Sequence, residues 1–318
     1  MEGFTFLGDL GGIVPVIALL FAVFDKRLAI RLAFVALIAG SLNQFLKLLV
    51  ANPRPFVTAG TYRSEWAVSP RTAAVLATDY STPSGHAMGG AAFWGVLFGR
   101  ATGWTRAACA LVILGTGLSR PYLGVHYVED ILLGWPIGIA IAVIVTRYGD
   151  DLARRWDAQA FARRVAAAVG ASVALWAATH ALGGFGTATV QPNAFVSYAG
   201  FLTGLVVAEP LEAHFVGFDP RRSSVGRKAL RFVLVVVGIV GPLVLLDRPL
   251  GAIAPDATPL GDLLRYLRYG SASVVGLFAV PLLCARLGLA ERSVGAGAPA
   301  SAPHADAAAL DREAALGE

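Results

Sequence analysis

Lys47, Arg54, Ser84, Gly85, His86, Arg120, His126 and Asp130 are the residues whose types and spacing could do chemistry together. They come in three blocks: Lys47 with Arg54-Pro55, then Pro83-Ser84-Gly85-His86, then Ser119-Arg120 with His126 and Asp130. Each block stands where a strongly apolar stretch begins or ends. Two histidines, one carboxylate and three permanent cations would therefore share one level of a membrane. Ionisable groups are costly there, which makes such a cluster a functional site by default. His126 and Asp130 are four apart and lie one turn from each other on one helix face. The carboxylate would accept a hydrogen bond from one ring nitrogen and fix the tautomer. The other nitrogen is then free to attack, and the positive charge that forms is stabilised. Arg120 ends the preceding helix and can reach the same pocket, where its guanidinium fork matches two phosphate oxygens.

The second block has a readable local structure. Thr82 can cap a helix and Pro83 suits the first helical position, so that Ser84-Gly85-His86 form the first turn. That helix end offers free N–H groups and partial positive charge to an anion. Gly85 would let the anion approach the backbone, and the Ser84 hydroxyl adds a donor. In the first block Lys47 and Arg54 are seven apart, two turns along one face, and Pro53 and Pro55 end the helix. Alone, Lys47 would read as a snorkelling side chain and Arg54 as a lipid-headgroup contact. Together the blocks read differently. A phosphate monoester or diphosphate brings about two negative charges. Lys47, Arg54, Arg120 and the helix end at Ser84-Gly85 would neutralise them by preorganised electrostatics. No metal-binding spacing is visible, and the chemistry requires no cofactor.

The elements that must hold these groups follow from composition. Of 318 residues, 56% are hydrophobic and 15% charged, against about 25% charged in an ordinary soluble domain. Mean hydropathy is +0.64. The apolar residues come in runs long enough to span a bilayer, which takes about 20 residues each. The expected fold is all-α, a polytopic transmembrane helical bundle with about nine spans, near 10–24, 28–51, 84–101, 104–119, 127–148, 165–182, 194–217, 228–247 and 264–288. Glycine pairs four apart (Gly85/Gly89, Gly95/Gly99, Gly134/Gly138, Gly200/Gly204) predict close helix packing within the bundle. Cys109 and Cys284 lie inside apolar runs and suggest neither a disulfide framework nor a metal site. The net charge of +5 does not imply nucleic-acid binding, because the basic residues gather between apolar runs. Their distribution puts the N-terminus outside, the C-terminus in the cytoplasm and the three blocks on the outer face. Glu2 and Asp9 replace the basic region of a signal peptide.

The three blocks, in this order and spacing, resemble the signature of the type 2 phosphatidic acid phosphatase superfamily over about residues 28–148. The resemblance implies an integral membrane, metal-independent lipid phosphatase. His126 is then the nucleophile, Asp130 its orienting partner and His86 the acid that protonates the leaving oxygen. Lys47, Arg54, Ser84, Gly85 and Arg120 bind phosphate. A phosphohistidine intermediate follows, with phosphatidate, phosphatidylglycerol phosphate or a polyprenyl diphosphate as candidate substrate. One departure is visible: the first block follows the second expected helix, where many members have it after the third. The alternatives are a phosphotransferase using the same site with an acceptor alcohol, and a transporter that binds the anion without breaking it.

The expected organisation is a phosphatase-like core over 1–150, an amphipathic surface linker over 151–164, a helical extension over 165–290 and a disordered tail over 291–318. Partners are a lipid phosphate and the surrounding membrane lipids; the oligomeric state is open. Phe56, Tyr62, Trp66 and Tyr80 in the 52–82 connection could line a lid over the headgroup. In the extension, Glu209 and Glu212 are expected to pair with Arg221/Arg222 or Arg227/Lys228, beside His214, as a structural network. His180 and His304 suggest no partner.

Overall fold

The computed structural model describes residues 2–58, 69–77, 79–183, 193–255 and 258–291, and no β-strand occurs among them. The short helix α1 (Glu2–Gly8) is followed by α2 (Leu10–Leu19), which continues as a π-turn over Leu20–Phe24. Asp25 then leaves the helical conformation and its carboxylate accepts from the Leu28 N–H (3.0 Å), capping α3 (Lys26–Val50). Ala51 takes a left-handed conformation (φ 51°) and Pro53 follows, which stops α3. The connection to the next long helix carries α4 (Pro55–Thr58) and α5 (Pro70–Leu76), the latter capped by Ser69. Then come α6 (Gly85–Arg100), α7 (Gly103–Tyr122) and α8 (Val128–Asp157). The second half comprises α9 (Phe161–Gly183), α10 (Asn193–Phe215), α11 (Val225–Leu245), the short α12 (Asp247–Ile253) and α13 (Pro259–Val274). A π-turn over Val275–Ala279 joins α13 to α14 (Val280–Arg286).

Every apolar stretch singled out in the sequence is helical, and the chain is a polytopic helical bundle. Six helical stretches among the described residues are long and apolar enough to cross a membrane: Lys26–Thr58, Val128–Asp157, Phe161–Leu182, Ala194–Phe215, Val225–Ile253 and Pro259–Arg286. Helix α6 has 16 residues, about 24 Å at 1.5 Å per residue, less than the ~30 Å hydrocarbon core. Helix α8 has 30 residues, about 45 Å, and absorbs the first half of the segment expected as a surface linker before the chain breaks at Ala158–Ala160.

Three of the four glycine pairs are where helices close on one another; in the fourth, Gly85 approaches Asn43 but a Cβ on Gly89 would meet nothing within 4 Å. A Cβ on Gly134 would stand 3.0 Å from the Ser84 carbonyl, and one on Gly138 would stand 2.8 Å from the Ala91 Cβ. From the other side, Gly95 and Gly99 of α6 face Ala142 and Thr146 of α8. Gly200 and Gly204 make the equivalent approach to Tyr266 and Gly270 of α13. Without side chains in the way, backbones approach closely enough for dispersion contacts to hold them in lipid. Thus α6 is fixed on α8, and α10 on α13, by one device used twice.

The acidic residues of α10 have other partners than expected. Glu212 takes Lys26 at 2.6 Å and accepts from the Phe218 N–H, while Glu209 faces Arg164 at 3.7 Å. Arg221 is drawn instead to the Phe24 carbonyl (3.0 Å), because the π-turn and Asp25 bring the α2–α3 corner under this end of α10. The network is an ion-pair clasp between the two halves. His180 also has a partner, Asp262 at 3.3 Å, supplied by α13 across more than eighty residues of sequence. His304 lies outside the described residues. Cys109 and Cys284 are buried free thiols.

Candidate active site

The three blocks meet at one end of the bundle around a cavity of about 170 Å³ lined by Lys47, Arg54, Gly85, His86, Arg120 and His126, with Asp79, Asp9 and Tyr198. Lys47 comes from the last turn of α3, Arg54 from the turn before α4 and Arg120 from the last turn of α7. All three cations are at least 96% buried, at 3%, 3% and 4% exposure. His126 sits in the α7–α8 turn, and His86 is half-buried in the first turn of α6.

Asp130 lies behind His126. It is fully buried at the start of α8, where the helix dipole favours its charge. Its Oδ2 accepts from the Tyr127 N–H (2.9 Å) and the Ser81 hydroxyl, and its Oδ1 accepts from the Thr82 hydroxyl. The same Oδ2 stands 3.1 Å from His126 Nδ1. With every other contact of the carboxylate a donor, His126 presents Nδ1–H to it and leaves the Nε2 lone pair facing the cavity. Arg54 Nη1 donates to that Nε2 at 3.1 Å. Burial first of all, then the positive charges of Arg54, Lys47 and Arg120, push the imidazole down to about 3 although the Asp130 bond opposes them. The ring is therefore neutral across the physiological range, as an attacking nitrogen must be.

The helix end differs from the sequence reading. Ser84, not Thr82, is the N-cap of α6, its hydroxyl accepting from the Ala87 N–H, and α6 starts at Gly85. Thr82 is engaged by Asp130 and Asn52, which removes it from the capping position. Ser84 is wholly buried beneath the cavity wall, while Gly85 lines the cavity itself. A Cβ on Gly85 would stand 2.9 Å from Asn43 Oδ1, and Asn43 Nδ2 donates to the Pro83 carbonyl (3.0 Å). Asn43 thus ties the start of α6 to α3. Of the four residues expected to form a lid, Phe56 is buried against Ala73 and Val125, which clamps the connection onto the α7–α8 turn. Tyr80 is half-buried, and Tyr62 and Trp66 lie outside the described residues.

The residue that the sequence did not announce is Asp79. Its Oδ2 pairs with Lys47 and with Arg54 Nη2 (2.8 Å), and its carbonyl accepts from Arg54 Nε (3.1 Å). Burial disfavours its charge, but Lys47 and Arg54 outweigh that and hold it below the usual carboxylate range. An internal anion therefore occupies the two cations best placed for phosphate. Ser81 and Thr82, which orient Asp130, were also missed. The N-terminus contributes too: Arg120 Nη1 reaches Thr5 Oγ1 (3.3 Å) on α1, and Asp9 faces the cavity. Asn43 had a usable signal, since it is a polar residue four before Lys47 on one face of an apolar helix. Asp9 and Tyr198 had none, because only tertiary packing brings them here. Among the described residues no group of three or more His, Cys, Asp or Glu is arranged for a metal ion.

Residues 28–154 match the sequence model of the PAP2 superfamily, and residues 196–292 match that of the PAP2 superfamily phosphatase transmembrane extension. The chain belongs to the PAP2 superfamily. The first match covers α3 to α8 and so contains all three blocks; the second covers α10 to α14 and includes Tyr198 of the cavity wall. No curated protein and no solved structure matches the chain. A PAP2 core with its transmembrane extension makes this a membrane phosphatase. The departure noted in the sequence has a structural counterpart. The PAP2 match begins at α3, and the helical hairpin before it places α1 against α7, with the Thr116 hydroxyl donating to the Phe4 carbonyl (3.1 Å).

Proposed function

We propose that the chain hydrolyses a phosphate monoester or diphosphate of a lipid through a phosphohistidine intermediate, at the extracytoplasmic face, without a metal. The observation that carries this reading is His126: Nδ1 is held by Asp130 at 3.1 Å while Nε2 faces a cavity lined by three buried cations. Binding of an anion alone does not require an oriented, neutral imidazole opposite a second histidine.

In this mechanism the phosphate takes the place of the Asp79 carboxylate on Lys47 and Arg54, with Arg120 and the N-terminus of α6 completing its neutralisation. Nε2 of His126 attacks phosphorus in line, and the phosphorus–oxygen bond to the lipid alcohol or phosphate breaks. His86 gives its proton to the departing oxygen. Asp130 stabilises the imidazolium that forms. His86 then takes a proton from water, whose oxygen attacks phosphorus; the phosphorus–nitrogen bond breaks and inorganic phosphate leaves. A lipid substrate is supported by the wall of the cavity, where Ile13, Ala36, Gly40 and Gly89 interleave with the charged groups inside an apolar bundle.

The test is phosphate release by the purified full-length protein from a panel of lipid phosphates and diphosphates, beside His126→Ala. Release that is abolished in the variant and survives EDTA, with vanadate inhibition, is the expected result. An absolute requirement for added Mg²⁺ overturns the all-cation phosphate site. Turnover that appears only with an acceptor alcohol present reassigns the same chemistry to a phosphotransferase.

A further inference from the structure

Along α3 the wall of the catalytic cavity changes character from the C-terminal end of the helix inward, through Lys47, Gln44, Gly40 and Ala36. At 1.5 Å per residue, Gln44 stands about 4.5 Å further in than Lys47, Gly40 about 10 Å and Ala36 about 16 Å. Ile13 of α2 also lines the cavity and belongs to one apolar cluster with Val35 and Ala39, at the level of Ala36. The order is a charge, then an amide, then small apolar surface. A phosphate on Lys47 and Arg54 would hold the next part of its molecule against Gln44 and its tail against Gly40 and Ala36.

Tyr198 of α10 supplies a second polar group at this depth. A Cβ on Gly40 would stand 2.9 Å from Tyr198 Cε2 and 3.0 Å from Cζ, so the end of the ring that carries the hydroxyl lies over Gly40, one turn from Gln44. Gln44 and Tyr198 are half-buried, line the cavity and make no hydrogen bond among the described residues. Their polar neighbours on α3 are engaged: Asn43 donates to the Pro83 carbonyl (3.0 Å), and Lys47 pairs with Asp79. An amide and a phenol thus offer neutral donors and acceptors to whatever fills the cavity, and the chemistry proposed at phosphorus uses neither. Gly89 of α6 lines the same cavity, and the open space in front of it leaves room for a branched molecule.

We infer that Gln44 and Tyr198 form a subsite for the glycerol and ester oxygens of a glycerolipid phosphate, and that the protein selects a phosphate carried on glycerol over one carried on a prenyl chain. The inference rests on the reading of this cavity as a lipid phosphatase site. In a glycerolipid the phosphate is followed by oxygen-bearing carbons and only then by hydrocarbon, the same order as the wall. In a prenyl monophosphate hydrocarbon follows at once, and it would displace water from the amide and the phenol without replacing their hydrogen bonds. A diphosphate would bring its second negative charge to the same place, where neither side chain is a cation. A site built to hydrogen-bond a substrate group discriminates strongly against an analogue that lacks it. Gln44 lies within the PAP2 match and Tyr198 within that of the extension, so the extension contributes to the choice of substrate.

The experiment measures kcat/KM of the full-length protein in detergent micelles for phosphatidate, phosphatidylglycerol phosphate, and a prenyl monophosphate and diphosphate. The affinities of hydrolysis-proof phosphonate analogues of phosphatidate and of the prenyl monophosphate are measured in parallel. Wild type is expected to favour a glycerolipid at least tenfold in both readouts. Tyr198→Phe removes one oxygen atom and should lower that preference threefold or more. Adding Gln44→Leu, which keeps the bulk of the side chain, should lower it tenfold or more. A wild type that favours either prenyl substrate overturns the inference. So does a preference that Tyr198→Phe and the double variant leave unmoved, or a loss in Tyr198→Phe shared equally by all four substrates. Phosphonates that bind with the expected preference, while no lipid releases phosphate, would keep the subsite and reject the proposed reaction.

Discussion

Asp79 occupies Lys47 and Arg54 in the absence of substrate, so phosphate must exchange with a carboxylate rather than enter an empty site. Asp79→Asn removes the competing charge while keeping the shape. Vanadate and inorganic phosphate should then inhibit at concentrations about tenfold lower, since a hydrogen bond to a charged group contributes about 1.5–3 kcal/mol. Weaker inhibition in the variant would mean that Asp79 serves mainly to hold the two cations in place. The pH profile gives a separate test at this scale. His126 is pushed down to about 3, so lowering the pH from 8 to 5 does not protonate the proposed nucleophile of the free enzyme. After correction for ionisation of the substrate, kcat/KM should show no acid limb near the ordinary imidazole value of about 6.5. An enzyme pKa of about 6.5 on that limb would contradict the neutral, buried ring. Sequence spacing exposed His126, Asp130 and the cations because each is an ionisable residue beside an apolar run. It did not expose Asp79, Ser81 or Thr82, because short-chain polar residues in a connection look alike until folding brings one to a cation and two to a carboxylate.

At the scale of elements, the turn that carries His126 depends on α8 lying flush with α6. Asp130 and Gly134 occupy successive turns of α8, and the Ser84 N–H donates to the Asp130 carbonyl (3.1 Å), so the contact that packs the helices also joins the second and third blocks. Gly138→Leu would drive a side chain into Ala91 and the α6 backbone, which cannot rotate aside. It should destabilise the protein by about 1–3 kcal/mol and lower activity while leaving the charged groups intact. Thermal unfolding in detergent measures the first effect and phosphate release the second; a stable and fully active variant would separate the site from this packing. The long helices were legible from apolar runs, and the Gly134/Gly138 spacing announced a close contact. Its partner was not legible, since a small-residue stripe says that a helix approaches but not which one. Helix α1 was missed because seven residues with two glycines carry too little periodicity.

For the molecule as a whole, the charge distribution predicts that the catalytic end faces out. With the two native cysteines buried, Thr58→Cys near the site and Arg154→Cys at the far end of α8 give opposite reports. A membrane-impermeant maleimide added to intact cells should label the first and spare the second. The reverse pattern would put the active site in the cytoplasm. The extension packs directly against the core in this bundle. Glu212 of α10 holds Lys26 of α3, and Tyr198 closes the cavity against Gly40. Arg231 makes the same point from another direction. It is fully buried near the start of α11, donates from Nε to the Ala22 carbonyl (2.6 Å) and from Nη2 to the Pro220 carbonyl (2.7 Å), and stacks on Phe218. During synthesis the Ala22 carbonyl is threaded into the bilayer 209 residues before its donor exists. Until α11 is inserted, that carbonyl must borrow water or a lipid headgroup, and the first hairpin stays adjustable. Translation order therefore makes the half of the chain without the three blocks the last stitch in closing the half that has them.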